Sequence, residues 1–64
     1  MDEMLKAYLL QEYDWLRPDE VTDASFDSSV NEIDYKQCGK QDYACVDDIT
    51  ELLEFAVEWG KKHG

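Results

Sequence analysis

The clearest hydrophobic pattern in the chain is a helical one near its C-terminus. Apolar residues recur there at helical spacing and share one face: Ile49, Leu52, Leu53, Ala56 and Gly60. Asp48 precedes them as a candidate N-cap, and Glu51 follows it by three residues, as in a capping box. The pattern predicts a helix over residues 49–62 that packs through its apolar face.

A second helix is predicted over residues 3–17. Asp2 is its candidate cap and Pro18 stands just after its end, where proline disfavours a continuing helix. Glu12 falls among the apolar positions, but it lies near an open end, so we expect its carboxylate to reach water. The alternative is a partly buried carboxylate that needs a cationic partner. The apolar side contains Met1, Leu5, Tyr8, Leu9 and Leu16.

Residues 18–46 are less regular, and two interpretations stay open. Residues 29–32 have the form of a capping box, which predicts a short helix that begins near Val30 and ends near Gly39. The alternative is a two-stranded hairpin around residues 31–46. In that hairpin Ile33 and Tyr35 point inward, Gly39 makes the turn, and Tyr43 and Cys45 lie on the returning strand.

These elements predict a mainly α fold, with one small acidic domain over residues 1–64. It has two long helices and a short third helix, and the alternative is an α+β fold with the hairpin. Trp15 and Trp59 are expected to flank the seam between the long helices. That seam is predicted to contain Leu5, Leu9, Leu16, Ile49, Leu52, Leu53 and Ala56.

The charge of the chain changes the functional picture. Its 64 residues include 16 Asp or Glu against six Lys or Arg, which gives a net charge of −10. Such a surface repels nucleic acid and anionic membranes and attracts basic protein surfaces. Because 44% of the residues are hydrophobic, the chain has material for a core, unlike a disordered acidic tail.

An acidic stripe, formed by Asp47, Glu51, Glu54 and Glu58, faces away from the apolar side of the last predicted helix. Its carboxylates are about 5–6 Å apart, on the scale of neighbouring phosphates along a nucleic-acid strand. Phe55 lies at the border and offers an apolar anchor. The stripe predicts a binding site for a basic surface on a nucleic-acid-binding protein, whereas the alternative is a face that is merely solvated.

A second candidate site is a cation-binding loop at residues 23–34. Oxygen-bearing side chains stand at its positions one, three, five and twelve: Asp23, Ser25, Asp27 and Asp34. This spacing resembles the loop of about twelve residues in EF-hand and dockerin proteins, although Ser28 stands where that loop has glycine. The resemblance implies a calcium-dependent interaction module.

We therefore expect a non-enzymatic inhibitor or modulator that acts by nucleic-acid mimicry and needs no cofactor. The alternatives are the calcium-dependent module and a small structural or accessory subunit, including a homodimer. The chain shows neither a bilayer-spanning apolar run nor a basic leader, which predicts a cytoplasmic protein. Cys38 and Cys45 would then be free thiols, and a disulfide between them is the alternative.

Overall fold

The computed structural model describes residues 2–63. Its elements follow the order helix, three strands, helix, and their bounds are α1 Asp2–Glu12, β1 Val21–Asp27, β2 Glu32–Gln37, β3 Lys40–Cys45 and α2 Ile49–His63. The fold is α+β, so the prediction of a mainly α protein with three helices is wrong. No helix within the described residues is long and apolar enough to cross a membrane.

The three strands form an antiparallel meander in the order β1-β2-β3. Ile33 and Tyr35 alternate inward along β2, as the hairpin alternative predicted, and both are buried. Cys38 and Gly39 join β2 to β3 with positive φ angles of 53° and 80°, the backbone that a tight two-residue hairpin turn needs. On β3, however, Ala44 points inward, whereas Tyr43 and Cys45 are exposed.

The predicted short helix beginning at Val30 is wrong. Residues 28–31 form the loop between β1 and β2, where Asn31 has a φ of 52°. The Asp27 carboxylate accepts hydrogen bonds from the Ser29 backbone N–H at 3.0 Å and from the Ser29 hydroxyl at 2.6 Å. These bonds hold the pKa of Asp27 below its ordinary value. The serine therefore closes a turn rather than opening a helix.

β1 was missed because a bulge breaks its alternation. The pairing register with β2 shifts between Thr22 and Ser25, and Asp23 in that interval has a φ of 55°. Val21 and Ala24 consequently reach the same buried face although they are three residues apart. The opposite side of the sheet, called here the open face, carries carboxylates from two strands: Asp27, Glu32 and Asp34.

α1 packs on the inner face of the sheet. It ends at Glu12, five residues before the predicted end, and a turn follows in which the Leu16 N–H donates to the Tyr13 carbonyl at 3.1 Å. That turn brings Leu16 into the core and leaves Trp15 exposed. Met1, expected on the apolar side of the helix, and the side chain of Asp2, expected to cap it, are not among the parts of the chain that the structure describes. The core comprises Met4, Leu5, Tyr8, Leu9, Leu16, Val21, Ala24, Ile33, Tyr35, Ala44, Val46 and Leu52.

α2 confirms the predicted helix almost to the residue, but its packing differs from the prediction. Leu52 is buried and Ala56 is half-buried, whereas Leu53 is 59% exposed and Ile49 is 37% exposed. The helix is rotated so that Phe55 and Trp59 share the packed side with Leu52. The predicted seam is therefore wrong at Ile49 and Leu53.

Candidate functional site

The acidic stripe is held in place by the N-terminal cap of α2. The Asp48 carboxylate accepts hydrogen bonds from the backbone N–H groups of Thr50 at 3.0 Å and of Glu51 at 3.4 Å. This satisfies donors that the first turn of a helix otherwise leaves unpaired. From that fixed turn, Glu51, Glu54 and Glu58 follow one another along the helix, and all three are exposed.

A groove of about 580 Å³ lies between α1 and α2, and we call it the helix groove. Its α1 side includes Ala7 and Gln11. Its α2 side brings together four of the five residues predicted to bind a partner: Glu51, Glu54, Phe55 and Glu58. The fifth, Asp47, is exposed ahead of α2 and is not among the lining residues.

Aromatic rings form the base of the helix groove. Phe55 meets Tyr8 of α1 edge to face, with ring centroids 5.4 Å apart, and stacks on Trp59 at 6.4 Å. Trp59 in turn stacks on His63 at 3.8 Å. Phe55 and Trp59 are half-buried, whereas the glutamates beside them are exposed. The groove therefore has an apolar base and an acidic rim.

Carboxylates also face each other across the two helices. Repulsion from Glu12 of α1 is the main cause that raises the pKa of Glu51. Burial, with a smaller contribution from the same two carboxylates, raises the pKa of Tyr8 to about 12. Glu12 is exposed, which confirms the expectation that it reaches water.

Two lysines offset part of the negative charge of this rim. Glu58 pairs with Lys61, with Nζ 3.6 Å from Oε1, and Lys62 lines the far end of the groove. Within residues 2–63, neither Glu51 nor Glu54 takes part in an ion pair. Carboxylates beside aromatic rings are suited to ammonium and guanidinium groups, because both attract cations.

The residues of the predicted cation loop are spread over a β-hairpin. Asp23 lies in the bulge of β1, with its Oδ2 3.7 Å from Nζ of Lys36. Ser25 pairs with Asp34 across β1 and β2, and Asp27 is engaged by Ser29. The described residues contain no group of three or more His, Cys, Asp or Glu that could hold a metal ion. Residues 23–34 therefore lie in two paired strands and the loop that joins them.

Both cysteines are free and exposed. Cys38 lies in the turn before β3 and Cys45 ends that strand, so they are about 20 Å apart at the rise of an extended chain. A disulfide requires Cα atoms within about 7 Å, which rules out the bridge within this fold. The Cys38 thiol donates to Glu20 Oε2 at 3.3 Å, and this bond is the main cause that raises its pKa.

Sequence reasoning missed two features of this region. The first is the place of Trp59 in the groove, since the sequence analysis expected it only beside the seam. Trp59 follows Phe55 by four residues and precedes His63 by four, a spacing that places the three rings in one row. The second is the exposure of Leu53 and Val57, at 59% and 58%. The exposure of Leu53 and Val57 could have been inferred from the sequence. The apolar residues of α2 span about 200° of the helix circumference, and packing against one neighbouring element buries a narrower stripe.

Comparisons of the chain with protein-family models, with curated proteins and with solved structures gave no match.

Proposed function

We propose that this protein is a non-enzymatic acidic interaction protein that binds a basic surface of a nucleic-acid-handling protein and thereby inhibits or modulates it. One observation carries the proposal: Glu51, Glu54 and Glu58 line a single groove over half-buried aromatic rings. The net charge of −10 supports it, since a field of that sign concentrates basic partners near the protein.

The groove supplies both parts of a recognition site for lysine or arginine. The methylene stem of such a side chain lies on the rings of Phe55 and Trp59, and its cationic head reaches the glutamates at the rim. A single exposed ion pair contributes only about 0–1 kcal/mol, so several pairs and the aromatic contact have to act together. The row of carboxylates along α2 meets that need because it presents one acid at about every helical turn.

Mimicry of nucleic acid follows from the same row. A protein surface that binds phosphates along a strand presents its own cations in series, and a straight helix with serial carboxylates can occupy such a surface. Binding is then competitive with nucleic acid, and screening by salt weakens it because charge attraction drives the association.

The test compares two variants that lose equal charge. One removes the rim of the groove, as Glu51→Gln/Glu54→Gln/Glu58→Gln, and the other removes three exposed acids elsewhere, as Glu3→Gln/Asp14→Asn/Asp19→Asn. Each immobilised protein is used to capture nucleic-acid-binding proteins from a lysate at about 0.05 M and about 0.5 M salt. The captured proteins are then challenged with duplex DNA.

We expect the wild type and the second variant to retain partners at low salt, to lose them at high salt and to release them to DNA. The rim variant should capture little under any condition. Capture that survives the high salt concentration, or that is equal for the two variants, would contradict the proposal. If duplex DNA does not displace the captured proteins, nucleic-acid mimicry is contradicted, and the proposal is reduced to binding of a basic surface.

A further inference from the structure

α2 presents a second, separate apolar surface. Ile49, Leu53 and Val57 follow one another at four-residue spacing, which places them in one row about 12 Å long at the rise of an α-helix. Their side chains are 37%, 59% and 58% exposed. We call this row the apolar ridge. It lies beside the packed side of α2, so the protein's own core does not use it.

The border of the apolar ridge is acidic. A depression of about 290 Å³ is lined by Leu53 and Val57 together with Glu54, Glu58 and Thr50. The same two glutamates line the helix groove on their other side. The carboxylates thus stand between an aromatic groove and an aliphatic ridge, and a ligand that covers the ridge must offer cations where it meets Glu54 and Glu58.

The shape of the ridge suits a helix. A straight row of aliphatic side chains at four-residue spacing packs against the equivalent row of a second helix at an interaxial distance of about 8–10 Å. A peptide helix with apolar residues at every third or fourth position and basic residues along one border matches both the ridge and its acidic edge. A second copy of this chain matches poorly, since each copy carries a net charge of −10.

We propose that the apolar ridge Ile49–Leu53–Val57 docks a basic amphipathic helix of the partner, with its lysines or arginines against Glu54 and Glu58. This inference rests on the proposed function, because it assumes the same basic partner. It adds two points. The partner contributes a helix, and the burial of aliphatic side chains on the ridge distinguishes this partner from other basic proteins that charge attraction alone would also bind.

The test uses a fluorescent synthetic peptide that has leucines at helical spacing and lysines along one border. Its control is a scrambled peptide of the same composition with no amphipathic face. The ridge variant Leu53→Gln/Val57→Thr is compared with Val30→Thr, which changes an exposed apolar residue in the β1–β2 loop. Anisotropy titration reports binding, and circular dichroism confirms that each variant is folded. Leu53→Ala, which keeps helix propensity, is the second variant should the double one unfold.

We expect the amphipathic peptide to bind the wild type at least about tenfold more tightly than the scrambled peptide, since only the former buries leucines on the ridge. The ridge variant should lose that tenfold preference, whereas Val30→Thr should keep it. Equal binding of the amphipathic peptide to wild type and ridge variant overturns the inference. If the rim variant Glu51→Gln/Glu54→Gln/Glu58→Gln nevertheless loses binding of the peptide, the proposed function stands without the docking of a helix on the ridge.

Two other outcomes distinguish failure of the proposed function from failure of the ridge inference alone. If neither basic peptide binds the wild type, the proposed function fails together with the ridge. If sedimentation shows that the wild type self-associates and that Leu53→Gln/Val57→Thr abolishes this, the occupant of the ridge is a second copy and the inference is wrong.

Discussion

The two helices of this protein bury very different shares of their residues. α1 has 11 residues, and four of its described side chains are buried in the core: Met4, Leu5, Tyr8 and Leu9. α2 has 15 residues and buries only Leu52, although its sequence has the clearer helical periodicity. The difference teaches that an amphipathic pattern shows that a face needs a partner, and does not show that the partner belongs to the same chain.

This division assigns α1 to the core, whereas α2 carries the surfaces that we propose bind a partner. α1 lies against the inner face of the sheet and links it to α2 through contacts such as Tyr8 with Phe55. α2 keeps its acidic stripe and its apolar ridge exposed. A core of this size rarely supplies more than about 3–5 kcal/mol of stability, so a partner that covers the exposed apolar ridge would add appreciably to it.

The largest expected effect comes from matched leucine truncations on the two helices. Leu9 is fully buried in α1 and Leu53 is 59% exposed on α2. Leu9→Ala should lower the free energy of unfolding by about 2–5 kcal/mol, because it removes buried methyl groups and leaves a cavity. Leu53→Ala should change it by less than about 0.5 kcal/mol. Urea denaturation followed by circular dichroism measures both, and similar losses would erase the distinction between the helices.

An intermediate effect is expected at the cap of α2. Asp48→Ala removes the acceptor for the Thr50 and Glu51 N–H groups and should cost about 1 kcal/mol. Asp47→Ala is the matched control, since that carboxylate makes no bond to the helix among the described residues. Hydrogen exchange should accelerate in α2 while β2 stays protected. Equal acceleration in both elements would mean that α2 and the sheet unfold as one unit.

The smallest effect is a pH dependence at the contact between the helices. The pKa of Glu51 is raised above its ordinary value of 4.5 by Glu12, so protonated Glu51 favours the folded state. Its contribution is present below pH 4.5 and is lost as the pH rises through the raised folded-state pKa. Glu51→Gln should remove this loss, and the variant should be the more stable protein at neutral pH. Thermal melts from pH 4 to 7 measure the difference, with Glu3→Gln as control. If the wild type instead gained stability relative to the variant as the pH rises, the prediction would be contradicted.

The sequence alone was sufficient to predict α2 and, in the alternative interpretation, the hairpin. Asp48 and the apolar repeat determine the start and the length of α2, and the alternation of Ile33 and Tyr35 with polar residues indicates β2. Local patterns of this kind involve neighbours in the chain, so they can be interpreted without tertiary structure. The preference for a third helix was wrong because Ser29 serves a turn equally well.

The remaining features depend on contacts between distant segments. β1 is recognisable only through its pairing with β2, since the bulge at Asp23 shifts its inward residues. The helix groove requires α1 and α2 to lie side by side, and no local pattern places Glu12 opposite Glu51. Likewise, which half of the apolar arc of α2 becomes buried depends on Tyr8 and Phe55 meeting across the two helices.

Chemical-shift mapping with a lysine-rich peptide tests most directly whether α2 is the binding element. The open face of the sheet provides an internal competitor, because Asp27, Glu32 and Asp34 carry as many carboxylates as the groove rim. We predict that titration shifts the amide signals of residues 49–63 first and most, and that the sheet signals move little. Shifts centred on the open face, or spread evenly over all acidic residues, would contradict a binding site on α2.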